Sequence, residues 1–153
     1  REKCGACSGR GVYKKAEEVR IKIPTGIDDG EMIRLEGSGE AVAHGSPGDL
    51  YIKVHVRKHK IFRKQDENLI MNLDVKVTDA ILGANYEIET LDGKISLEIP
   101  AGSNSGDILR LRGKGVPVGR SRGDILVYLN VKIPRKISRS AREAVERLRG
   151  EGV

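Results

Sequence analysis

The sequence predicts an all-β protein: two tandem small β-sandwich domains, each of few short antiparallel strands, the first incomplete, followed by a C-terminal helix. Three observations carry that prediction. Apolar and polar residues alternate with a period of two along much of the chain, as in strands with one buried face. Aromatic residues are scarce, with four Tyr, one Phe and no Trp, so a core must be built from Ile, Val and Leu, and that composition favours strands. A long segment also occurs twice. IPTGIDDGEMIRLEGSG (23–39) lies over IPAGSNSGDILRLRGKG (99–115) without a gap and with eight of seventeen positions identical. After a loop differing by one residue, GDLYIKVHV (48–56) lies over GDILVYLNV (123–131). A unit of this length, present only twice, reads as a duplicated domain and not as a solenoid.

The chain opens on KCGACSGRG (3–11), in which Cys4 and Cys7 form a C-x-x-C step trailed by glycines, within the pattern C-x-x-C-x-G-x-G. Structural zinc takes four ligands, and these are the only two cysteines. His44, His55 and His59 lie far downstream without the close pairing of a zinc finger. The pair is therefore either a reduced, exposed pair of thiols or half of a metal site completed by residues outside this sequence. A thioredoxin-like redox pair is disfavoured, because no βαβ pattern surrounds it.

In the first copy, Val19, Ile21 and Ile23 alternate with Arg20 and Lys22 and predict a strand stopped by Pro24-Thr25-Gly26. Ile33 and Leu35 predict the next, and Leu50, Ile52, Val54 and Val56 a third. The second copy repeats the pattern through Ile95, Leu97 and Ile99, then Leu109 and Leu111, then Ile125 to Ile133. It also carries NLIMNLDVKV (68–77), a strand with Leu69, Met71, Leu73, Val75 and Val77 on one face. TDAILG (78–83) predicts one helical turn capped by Thr78 or Asp79 and stopped by Gly83. NYEIETLDGKISLEIP predicts a hairpin about Asp92-Gly93. The first copy lacks an opening strand and helix of this kind, so the chain reads as starting inside a domain. Residues 137–152 (ISRSAREAVERLRGEG) predict the one helix of any length, with Ile137, Ala141, Val145 and Leu148 on one stripe, Ser138 or Ser140 as cap and Gly150 as the end.

Composition excludes several function classes. No apolar run approaches membrane-spanning length and no signal-peptide core is present, which predicts a soluble chain with no membrane partner. The cysteine usage shows no disulfide scaffold and suits a reducing cytoplasm. The net charge of +6 invites a nucleic-acid partner. Most basic residues alternate with acidic ones, however, and the exposed aromatics that stack on single strands are missing. A nucleic-acid-binding basic β domain with a zinc knuckle is the alternative reading. The glycine stretches 37–48 and 113–123 lead into strands, whereas phosphate loops open helices. Asp49 and Asp124 each follow a glycine at a strand start and read as turn formers. No nucleophile, base and orienting group come together in the sequence, so no catalysis is expected.

These residues in this order resemble a known family. C-x-x-C-x-G-x-G running into V-x-I-x-I-P-x-G, then D-G-x-x-I-R-L-x-G-x-G, GDL, H-x-I-F, and a second copy with TLDG and RGKG are similar to the C-terminal client-binding region of zinc-finger (type I) DnaJ cochaperones, beginning at the fourth knuckle. The resemblance covers essentially the whole chain. It implies that residues 1–12 are a remnant of the zinc-finger region, 13–58 an incomplete first β client-binding domain, 59–136 a second β domain, and 137–153 a helical tail. Cys4 and Cys7 would be zinc ligands in the full-length protein, incompletely coordinated by this chain alone. The resemblance further implies binding of unfolded polypeptide by β-augmentation and delivery to a DnaK-type ATP-dependent chaperone. Candidate client contacts are Val19, Ile21 and Ile23, which read equally as plain core, and Phe62 of HKIF at the domain junction, for which a hinge plug is the weaker alternative. The family dimerises through its C-terminal end, which points to Ala141, Val145 and Leu148 as homodimer contacts, unless the helix folds back on the second domain. The J-domain with its His-Pro-Asp tripeptide is absent from the sequence, so stimulation of the partner's ATPase is not expected.

Overall fold

The computed structural model describes residues 4–152. They form two compact units: the described residues up to Lys60 together with Pro117–Arg120, and Ile61–Val116 together with the described residues from Ser121 onward.

In the first unit, β1 (Met32–Leu35) and β2 (Leu50–Lys53) pair antiparallel, with Met32 opposite Lys53 and Leu35 opposite Leu50. The ladder extends by two bonds, from the Gly30 amide to the Val54 carbonyl (2.9 Å) and from the Val54 amide to the Glu31 carbonyl (2.8 Å). The strand expected at Val19–Ile23 is absent: residues 12–24 hold no helix, strand or turn. The reason lies in pairing. A strand's amides and carbonyls need a neighbour, and none of the described residues supplies one to this segment. No described residue of this unit is buried, as expected of a lone four-residue hairpin.

The second unit holds the core. Its main sheet runs in the order β3-β4-β10-β7, with β3 at Arg63–Gln65, β4 at Asn68–Lys76, β7 at Ile108–Leu111 and β10 at Ile125–Lys132. β4 and β10 run parallel through eight residue pairs, from Leu69 opposite Ile125 to Lys76 opposite Lys132. The other pairings in this sheet are antiparallel, as the alternation predicts. Period-two patterning fixes which face is buried but says nothing of strand direction, so the parallel pair was not legible. Between these strands lie α1 (Val77–Leu82) and the hairpin of β5 (Ala84–Thr90) and β6 (Gly93–Ile99). Neither Thr78 nor Asp79 caps α1. Its cap residue is Lys76, and Asp79 instead accepts a hydrogen bond from the Tyr86 hydroxyl at 2.6 Å. Gly83 ends the helix at φ 80°, where a side chain would be strained. The hairpin loop is Leu91-Asp92, with Thr90 opposite Gly93. The short strand β8 (Pro117–Val118) belongs to the first unit, and β9 (Ser121–Arg122) precedes β10.

Leu69, Met71 and Val75 of β4, Ile125, Val127 and Leu129 of β10, Ile88 of β5 and Leu97 and Ile99 of β6 form one buried cluster, joined by Phe62, Ala80 and Val116. The main sheet and the hairpin both contribute, which is the two-layer packing of a small sandwich. α2 (Arg139–Gly150) follows, capped by Ser138, whose hydroxyl accepts from the Ala141 amide at 3.2 Å.

The two copies share a clamp. In the first, Nε of Arg34 donates to Asp49 at 2.8 Å, and the Gly37 amide donates to the other carboxylate oxygen at 3.0 Å. In the second, Arg110 pairs with Asp124, and the Gly113 amide donates to the same carboxylate at 2.7 Å. Asp49 and Asp124 thus tie the end of one strand to the start of the next. The Gly39 amide bonds the Gly48 carbonyl, and Gly115 bonds Gly123, both at 2.8 Å. Even the ladder ends match: the Val56 amide donates to Asp29 at 2.9 Å, and the Val131 amide to Ser105 at 3.2 Å.

Gly48 and Gly123 occupy the same repeat position but not the same surroundings. A Cβ at Gly48 would meet nothing within 4 Å, while one at Gly123 would overlap the Glu67 carbonyl. Gly123→Ala should cost about 3 kcal/mol or more, and Gly48→Ala less than about 1 kcal/mol, both read by thermal unfolding. The clamp also sets a pH dependence. The Gly113 amide first, then the Arg110 side chain, hold the Asp124 carboxyl below the usual range against the opposing effect of burial. A depressed folded-state pKa gives stability that is present above the unfolded value of about 4 and is lost as pH falls through the folded one. The Tm difference between the protein and its Asp124→Asn variant should be largest near neutral pH and shrink below about pH 4.

Candidate functional site

The thiol pair sits on a tight turn. The Ser8 amide donates to the Cys4 carbonyl at 2.8 Å and the Arg10 amide to the Cys7 carbonyl at 3.0 Å. Ser8, Gly9 and Gly11 have φ of 52°, 85° and 78°, so the glycines serve a chain that reverses within a few residues. Cys4 is exposed and Cys7 partly so, and both are free thiols. The Cys7 amide first, then the Ala6 amide and the Cys7 thiol, lower the Cys4 pKa below that of an ordinary thiol. Amides turned toward sulfur stabilise a thiolate, the form that ligates metal. Two sulfurs are half of a tetrahedral zinc set, and no group of three or more His, Cys, Asp or Glu able to hold a metal occurs among the described residues.

Val19, Ile21 and Ile23 are exposed at 42%, 39% and 61%. Continuing the ungapped repeat alignment backward sets them over Ile95, Leu97 and Ile99 of β6. Those counterparts are packed against or within the core, with Leu97 6% and Ile99 1% exposed, and β5 pairs with their strand. The same pattern is therefore covered in one copy and open in the other. That backward extension was available from the sequence and is the signal that identifies the strip.

Phe62 lies elsewhere. It is 7% exposed, within the core cluster of the second unit. Val19, Ile21 and Ile23 belong to the other unit. On α2, no residue is buried: Val145 and Leu148 are 55% and 44% exposed, and Ala141 is half-buried. A feature the sequence did not suggest is a shallow hollow of about 190 Å³ on the second unit, lined by Ile61, Arg63, Ile70, Met71, Asn72 and Tyr128. Its lining carries one cation, one amide and one phenol, with no base beside a nucleophile. Asp49 and Asp124 are occupied in their arginine clamps. No helix among the described residues is long and apolar enough to cross a membrane.

The lowered pKa gives a direct expectation. The pH profile of Cys4 alkylation by iodoacetamide, followed by peptide mass mapping, should have its midpoint below that of a free cysteine peptide. A midpoint at or above the free value would contradict the amide-donor geometry.

Comparison with known proteins places this architecture. The DnaJ C terminal domain family matches residues 7–134. Among curated proteins, Chaperone protein DnaJ of Bacillus mycoides is 39% identical over 154 aligned positions, covering 99% of this chain and 42% of that protein. Chaperone protein DnaJ of Bacillus cytotoxicus is 40% identical with the same coverage. The chain thus spans less than half the length of these relatives. A family match over most of the chain, on a duplicated all-β scaffold with the clamp in both copies, makes this chain a member of the DnaJ C-terminal domain family.

Proposed function

We propose that this chain is the client-binding part of a DnaJ-type cochaperone, which holds extended, apolar segments of unfolded polypeptide and passes them to a DnaK-type ATP-dependent chaperone in the cytoplasm. The observation that carries the reading is the open strip of Val19, Ile21 and Ile23: alternate apolar side chains, exposed, on a backbone that no described strand pairs. Such a strip binds by β-augmentation, in which main-chain hydrogen bonds give affinity and alternate side chains give a loose preference. Membership of the family and similarity to proteins named Chaperone protein DnaJ support it. Phe62 enters this reading as a buried group that a client reaches only by displacing its neighbours.

The remaining assignments follow the same reading. Cys4 and Cys7 contribute two thiolates to a zinc site whose other ligands come from a longer protein, as the fourth knuckle of a zinc-finger region. The Ala141, Val145 and Leu148 stripe of α2 pairs two copies into a homodimer. No site for catalysis is part of the proposal.

Titrating a fluorescent apolar peptide and a DNA oligomer at two salt concentrations tests it. Peptide binding that varies little with salt, with weak oligomer binding, is the expected result. Steeply salt-dependent oligomer binding without peptide binding would instead establish the nucleic-acid alternative. Phe62→Ala should destabilise the second unit by about 3–5 kcal/mol, as for other buried phenylalanines. If it does so without changing peptide affinity, Phe62 belongs to the core alone.

A further inference from the structure

Each copy carries a glycine-rich loop, residues 37–48 in the first and 113–123 in the second. In each, that loop touches the chain just upstream of β6 or of the segment aligned with it. In the second unit the upstream element is the hairpin tip. Nη1 of Arg122 donates to Asp92 at 2.9 Å, Nζ of Lys114 lies 3.4 Å from the same oxygen, and Nε of Arg122 donates to the Gly115 carbonyl at 2.7 Å. The first copy has no such charges, since the aligned positions hold Ala16, Ser38 and Pro47. It brings the thiol turn to the loop instead. A Cβ placed on Gly11 would stand 3.2 Å from the Ala43 Cβ, 3.7 Å from the Ala43 Cα and 3.9 Å from Nε2 of His44.

Gly11 directly follows the last hydrogen bond of the thiol turn, from the Arg10 amide to the Cys7 carbonyl, and has φ of 78°. Backbone conformation and close approach both require glycine there. On the loop side, the Gly45 amide bonds the Val42 carbonyl at 3.2 Å and closes a turn in which His44 holds φ of 63°. That position of a turn favours glycine, and a side chain on it carries strain of about 1–2 kcal/mol. The strained residue is the one whose ring stands beside Gly11. We propose that residues 37–48 form the seat of the thiol turn, with Gly11 resting against Ala43 and the His44 ring, so that Cys4 and Cys7 are carried at a fixed place on the first unit and not on a free arm. Gly11, Ala43 and His44 are positioning residues that set where the sulfurs lie. The placement is independent of whether the sulfurs take a metal, and a metal held by them would move with the first unit.

The two copies support this role by comparison. Each loop is pinned at its ends by the same glycine bond, Gly39 to Gly48 or Gly115 to Gly123, and by the aspartate clamp. A loop held in this way has few conformations left, so a neighbour resting on it costs little further entropy. Charge holds the upstream element in the second copy. In the first, the missing side chain of Gly11 lets backbone and loop meet, and the contact is one of shape alone.

Two measurements on the whole chain test the seat. In the unaltered protein, a nuclear Overhauser contact should join the Gly11 α-protons to the Ala43 methyl, and the amides from Cys7 to Gly11 should be as rigid on the picosecond-to-nanosecond scale as those of β1 and β2. In a Cys4→Ser, Cys7→Ser background, Gly11→Cys is combined with Ala43→Cys or, as the control, with Gly48→Cys, where an added Cβ meets nothing within 4 Å. A disulfide needs Cβ atoms about 3.5–4.5 Å apart. In glutathione buffer the Ala43 pair should therefore close with an effective concentration at least about tenfold above the control. His44→Gly suits the backbone and removes the ring, and should lower that ratio at least about threefold. Should the Overhauser contact be absent, or both pairs close equally, the turn is a free arm and the proposal fails. Where the cysteine variants distort the turn, the Overhauser contact and amide rigidity of the unaltered chain decide. A ratio unmoved by His44→Gly overturns the role of the ring.

Discussion

The parallel register of β4 against β10 is the contact on which the second unit is built. Eight successive residue pairs place Leu69, Met71, Leu73 and Val75 beside Ile125, Val127, Leu129 and Val131 on one face. A parallel pair cannot be closed by a tight turn, so the chain between the two strands must leave the sheet and return. It does so through α1, the β5–β6 hairpin and β7, and the hairpin becomes the second layer over the buried face. β3 and β7 then pair to the two outer sides. Core, layers and strand order all follow from holding these two strands side by side.

The repeat separates what is local from what is long-range. Both copies build the same clamp, with an arginine and a glycine amide on one aspartate and matching glycine contacts behind it. Those interactions join the two strands of one hairpin and its loop, and form without a core. Burial does not: the first unit keeps the clamp and its hairpin, but none of its described residues is buried. Val19, Ile21 and Ile23 are exposed, with no neighbouring strand among the described residues, while their counterparts beneath β5 are packed.

That contrast also frames the functional reading. In the proposed reading, many clients are accepted because main-chain pairing, and not particular side chains, supplies the recognition. The second copy shows what the paired state of the same pattern looks like, with Tyr86 and Ile88 set over Leu97 and Ile95. The thiol turn presents two free sulfurs, and α2 an exposed stripe that includes Val145 and Leu148.

The sequence by itself determined the β class, the inward faces of β6 and β10, the duplication, the turn at Gly83 and the position of α2. These depend on periodicity and on residues with strong local preferences, which act over a few positions. It also placed Asp49 and Asp124 at strand starts, without revealing that Arg34 and Arg110 reach across to hold them. Only the tertiary structure decided that β4 and β10 run parallel, that Asp79 bonds Tyr86 rather than capping its helix, that Phe62 belongs to a core and that residues 12–24 form no strand. Each of these turns on which distant segment supplies a partner, and alternation along one strand carries no record of its neighbour.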